Sequence, residues 1–104
     1  MRGDFLYMRY MKVSNDLGTI NVNGDWSLLE SHDIEEEIGE AYGNGVTRYI
    51  VDFSGTEDID YASIQFLLEL KMRVGDGKMT ICNVHPSGLV AHKLQGSSLA
   101  PLIQ

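Results

Sequence analysis

The stretch from Val46 to Val74, VTRYIVDFSGTEDIDYASIQFLLELKMRV, constrains the fold of this chain more than any other part of it. It opens on Val46, Tyr49, Ile50, Val51 and Phe53, apolar residues of mostly β-branched and aromatic type. That composition predicts a strand buried on both faces. A polar turn follows, Ser54-Gly55-Thr56-Glu57-Asp58, and Ile59 to Ser63 then lead into a helical run. Ile64, Leu67, Leu68 and Met72 recur there at the spacing of one helix face, widened by Phe66, Leu70 and Val74. The unit is therefore strand, acidic loop, helix. At its helix start, near Asp60 to Ser63, free backbone N–H groups meet the positive end of the helix dipole.

The flanking sequence fits around this unit. Met8 to Val13 and Thr19 to Gly24 read as two short strands joined by the turn Asn15-Asp16-Leu17-Gly18, an antiparallel hairpin. Residues 1–7 form a leader or, through Phe5 and Tyr7, an early start of the first strand, so the domain proper spans residues 8–104. Gly24-Asp25-Trp26 closes the hairpin. Ser27 and Glu30 have capping-box spacing, with Asp33 as a second candidate helix start. Ile34, Ile38 and Ala41 or Tyr42 mark the inner face of that helix, and Glu35, Glu36, Glu37 and Glu40 lie mostly on a solvated one. Gly43-Asn44-Gly45 stops it. Gly75-Asp76-Gly77 ends the second helix, Lys78 to Val84 form another core strand, and Pro86 opens a third helix that is followed by a terminal helical turn. The order β-β-α-β-α-β-α predicts an α/β fold, a small single-domain sandwich with a mixed four- to five-stranded sheet and helices packed on it.

Charge narrows the partners. Fifteen acidic residues against eight basic ones give a net charge of −7, a field that repels phosphate backbones and anionic lipid. No run approaches the roughly 20 apolar residues of a membrane span, and the N-terminus lacks a signal-peptide pattern, so a cytoplasmic protein without membrane insertion is expected. Cys82 is the only cysteine and reads as a buried strand thiol. His32, His85 and His92 fall on three separate elements, without ligand spacing. No phosphate-binding glycine loop or nucleophile elbow occurs, and the sequence assigns no catalytic residue, metal ligand or cofactor. Asp52, Asp58 and Asp60 gather near the central loop, where carboxylates could hold a divalent cation for phosphoryl transfer. The same Asp58 and Asp60 suit turn and N-cap roles, and that explanation is preferred.

At this point the chain resembles a family. Val51-Asp52-Phe53-Ser54-Gly55 followed by Ile59-Asp60-Tyr61-Ala62-Ser63-Ile64 is similar to the STAS domain, which includes the bacterial anti-sigma-factor antagonists. Gly24, Gly75-Asp76-Gly77 and Asn83-Val84-His85-Pro86 extend the match over most of the chain from about Met8. The resemblance implies a non-enzymatic interaction module whose partner is a kinase-type anti-sigma factor, bound through Asp58, Asp60, Tyr61, Ala62 and Ser63. It also implies a switch, in which the Ser or Thr directly after the Asp is phosphorylated and the dianion repels the partner. Here that position is Tyr61, and Ser63, two residues on, is the candidate displaced phosphosite. Two alternatives stay open: a STAS subunit of an ABC lipid-transport or stressosome-like assembly, and a Mg-dependent phosphoryl-transfer enzyme using the three aspartates. Homodimer formation is a further open expectation.

Overall fold

A computed structural model describes residues 8–104. The leader expected over residues 1–7, and the early strand start at Phe5 and Tyr7, lie outside the described residues. Four strands form one mixed sheet: β1 (Met11–Ser14), β2 (Leu17–Asn21), β4 (Arg48–Asp52) and β6 (Met79–Cys82), in the spatial order β1-β2-β4-β6. β1 and β2 are antiparallel, and the other pairs are parallel, crossed over by α1 (Leu28–Gly43) and α2 (Tyr61–Val74). The hairpin turn is tighter than the sequence suggests. Ser14 already faces Leu17, so only Asn15 and Asp16 turn the chain, with Asn15 left-handed at φ 57°.

One face of the sheet carries the core. Met11, Ile20, Val51 and Ile81 form a buried row across all four strands, beside Gly18, Tyr49 and Met79. The opposite face presents Lys12, Thr19, Ile50 and Thr80, none of them buried. β4 is therefore buried on one face only, contrary to the composition-based expectation. Its Ile50 lies on the half-open side. Cys82 likewise is only half-buried, on that open face.

Two elements escape the sequence pattern. β3 (Gly24–Trp26) and β5 (Thr56–Ile59) pair in parallel as a separate ribbon. The sequence placed these residues in turns, because each segment is short and polar apart from its last residue. What makes them strands is the burial of those last residues, Trp26 and Ile59, at 1% exposure each. Trp26 also packs on Phe53, with ring centroids 5.6 Å apart.

The helices follow their caps. Ser27 and Glu30 form the expected capping box, so Asp33 lies inside α1 and starts nothing. The glutamates of α1 are not uniformly solvated. Glu37 is half-buried and accepts the backbone N–H groups of Arg9 and Tyr10, at 3.1 and 3.0 Å, and Glu35 takes both ends of the Arg73 guanidinium. In α2 the buried stripe is Ser63, Ile64, Leu67 and Leu70, and Met72 points to solvent. The last helix, α3 (Leu89–Leu94), begins at Gly88 and not at Pro86, which stays in the preceding loop. A 3-10 turn, Ala100–Leu102, brings Ile103 beside Ile81 and so covers part of the β6 edge.

Candidate functional site

Both long helices begin at the same corner, side by side. The β3–β5 ribbon delivers their first residues together: Asp60 N donates to Trp26 O at 3.0 Å, directly before each helix starts. Asp60 then caps α2 by accepting from Ser63 N at 2.8 Å, while its second oxygen accepts from Leu28 N at the start of α1, at 3.1 Å. Two positive helix ends set close together would repel, and a carboxylate between them stabilises both. Burial pushes the Asp60 carboxyl up, but the Ser63 hydroxyl and N–H and the Leu28 N–H outweigh it, leaving the group below its ordinary value.

Behind the corner runs a buried polar chain. Trp26 Nε1 donates to Ser31 Oγ at 2.8 Å, and Ser31 Oγ donates to Ser63 Oγ at 2.7 Å. Ser31 and Ser63 are both buried, at 3% and 0% exposure. Each sits where its helix's apolar stripe would carry a hydrophobic residue, and each satisfies the other. Ser63, the candidate displaced phosphosite, is thus enclosed. A dianion there would face Asp60 inside the fold.

The other expected residues face outward. Tyr61 is 67% exposed and Ala62 is exposed. Asp58, expected in a turn, lies in β5, and its carboxylate meets Lys93 Nζ at 2.9 Å. Lys93, from α3, also donates to Ile59 O at 3.0 Å and sits 5.3 Å from the centre of the Tyr61 ring. That ammonium holds Asp58 below the usual carboxylate range, chiefly by its hydrogen bond. Sequence reasoning missed Lys93 because nothing local ties it to residues 34 positions away. It also missed Leu28 and Leu29, which are 62% and 75% exposed beside Ala62. Their signal was available: both fall off the Ile34, Ile38, Ala41 stripe, yet both are leucine.

The three aspartates considered for metal chemistry do not converge. Asp52 Oδ1 accepts from Ser54 N and Asn83 Nδ2, at 2.9 and 3.0 Å, tying the ends of β4 and β6. Asp58 is paired with Lys93, and Asp60 caps two helices. Among the described residues, no group of three or more His, Cys, Asp or Glu side chains is placed to hold an ion. No helix among them is long and apolar enough to cross a membrane.

Comparison with known proteins agrees with this architecture. The profile of the family described as "Mlab, STAS domain" matches residues 12–104, and the chain belongs to that STAS domain family. Among solved structures it is similar to the anti-sigma factor antagonist SpoIIAA in its unphosphorylated form, with 23% identity and a TM-score of 0.75 over 88% of this chain and 81% of that one. The phosphorylated form of the same Bacillus cell fate determinant gives 22% identity and a TM-score of 0.68, over 88% and 84%. A putative anti-sigma factor antagonist from Thermotoga maritima gives 16% identity and a TM-score of 0.70, over 98% and 85%. At these identities the likeness is one of fold. No curated relative matches the chain.

Proposed function

We propose that this chain is a non-enzymatic interaction module that binds a kinase-type anti-sigma factor, or a related regulatory partner, through Asp58, Asp60, Tyr61, Ala62 and the helix start that Ser63 supports. It does so as a fixed binder without a phosphorylation switch. One observation carries this reading: at the corner the aromatic ring of Tyr61 is presented to solvent while the hydroxyl of Ser63, two residues on, is buried. An exposed aromatic on a preorganised helix start is a suitable interface anchor, since it buries much area at little entropic cost. The structural neighbours are named as anti-sigma factor antagonists, which supports the general class.

The same burial also favours a second reading, a STAS subunit of an ABC lipid-transport or stressosome-like assembly, in which no phosphorylation at this position is required. The two differ in the partner and share the corner. A phosphoryl-transfer role finds no support in carboxylates that are spent on separate structural bonds.

Tyr61→Lys is the cleaner test, because the side chain is exposed and its contact is with the Lys93 ammonium, 5.3 Å from the ring. Asp60→Lys would confuse the outcome by uncapping two helices. Capture of the genetically neighbouring regulatory partner should fall at least about tenfold with Tyr61→Lys while the fold stays intact. Retention at full strength counts against the corner. Incubation with the cognate kinase and ATP should leave Ser63 unmodified, and phosphate on Ser63 would restore the switch.

A further inference from the structure

Beyond the corner, the seam between α1 and α2 opens into two adjoining depressions that share Glu35 and Glu69. The first, about 500 Å³, is lined by Leu28, Leu29, Ala62 and Phe66 and is largely apolar. The second, about 480 Å³, ends on Met72, which is 83% exposed. Together they make a trough alongside α2 from Ala62 to Met72, about 15 Å or roughly three helical turns.

The charge on its rim is unbalanced. Arg73 is the one cation lining the trough among the described residues, apart from any charge on His32, and both of its terminal nitrogens are committed to Glu35 at 2.8 and 2.9 Å. Among the described residues Glu69 accepts one hydrogen bond, from the Gln65 amide at 3.5 Å, and it feels the charge of Arg73 without forming an ion pair with it. A second copy of this chain would bring another net charge of −7 and another Glu69 to the same seam, and an anionic lipid surface would be repelled similarly.

We propose that this trough receives an amphipathic helix of a partner protein, with apolar anchors on one side and Lys or Arg along the edge that meets Glu69. The proposal rests on the docking role assigned to the corner and states the form of the partner segment. Leucines at i, i+3 or i+4 and i+7 would reach Leu29, Phe66 and Met72 in turn, the spacing with which a helix fills a groove. The basic edge gives Glu69 the direct ion-pair partner that it lacks among the described residues.

The test uses the full chain and a fluorescein-labelled helical peptide of about fifteen residues, with that leucine spacing and flanking lysines, beside a twin carrying glutamate for every lysine. Fluorescence anisotropy should show saturable binding of the lysine peptide and none of its twin. Leu29→Glu and Met72→Glu, both at exposed positions that leave folding intact, should each weaken binding about tenfold or more. Glu69→Lys should weaken it about two- to fivefold, and Glu57→Lys, an equal charge change on β5 outside the trough, should not. Equal binding of the two peptides, or undiminished binding by both apolar variants, overturns the proposal. So does a dimer in sedimentation, or binding to phosphatidylglycerol vesicles, that Met72→Glu abolishes. The natural partner separates this idea from the corner. Loss of capture with Tyr61→Lys but not with Met72→Glu leaves the corner standing and removes the trough. The reverse pattern keeps the trough and removes the corner.

Discussion

The two ends of the helices are built by different means. Where α1 and α2 stop, the chain turns on local chemistry: Gly45 at φ 89°, Gly75 at φ 94° and ψ 170°, and Gly77 at φ 76°. Each needs a backbone region that side chains rarely enter, and each can be understood from its own few residues. Where the helices start, the local caps at Ser27 and Asp60 are tied together by long-range bonds. Asp60 to Leu28 and Ser31 to Ser63 both span 32 residues, and the Thr56 hydroxyl reaches Val22 O across 34. One end is punctuation. The other is an assembled surface, held in place by bonds that no short segment could supply, and a preorganised surface is what a binding site requires.

This contrast can be broken most severely from the inside. Ser63→Asp would place a second carboxylate against Asp60 at a position with no exposure, and should cost about 3–5 kcal/mol, the scale of an uncompensated buried charge. Urea unfolding measures it, and a loss under about 1 kcal/mol would mean that the hydroxyl is not enclosed. Asp60→Ala comes next. It removes one cap from each of two helices, so about 2 kcal/mol is expected, twice the usual loss for a single cap. Gly75→Ala should cost about 1–2 kcal/mol through backbone strain alone and leave the Tyr61 corner, at the other end of α2, in place.

The smallest effect is one of pH. Asp60 lies below its ordinary value of 3.8 in the fold, so its stabilisation is fully present above 3.8 and is lost as pH falls through the lower folded value. The stability difference between wild type and Asp60→Asn should therefore be flat from neutral pH down to about 5 and shrink only in stronger acid. A difference that shrinks between pH 7 and 5 would contradict the double cap.

Much of the fold was legible in the sequence, for reasons that the same comparison explains. The helices, their glycine stops, the Ser27–Glu30 capping box and the Asp60 cap all depend on neighbours within a turn or two, and pattern reading finds such features. The ribbon of β3 and β5 was not legible. Gly24-Asp25-Trp26 and Thr56-Glu57-Asp58-Ile59 carry one large apolar residue each, and only their mutual pairing makes strands of them. Burial of β4 on both faces was inferred from composition, yet the helices cover one face and leave Ile50 on the other. At the corner, Tyr61 and Ala62 were reached through the family pattern. Lys93, the second role of Asp60 and the exposed Leu28 and Leu29 emerged only once the ribbon had brought the two helix starts together.

The central claim is that the helix-start corner, and not the stop end, meets another protein. A photo-crosslinking benzophenone side chain installed in place of Tyr61, and separately in place of Asn44 at the stop end, tests it most directly in the native cell. A discrete adduct with a second protein from position 61 and none from position 44 is the predicted result. Adducts from position 44 alone, or indistinguishable patterns from both, would contradict it.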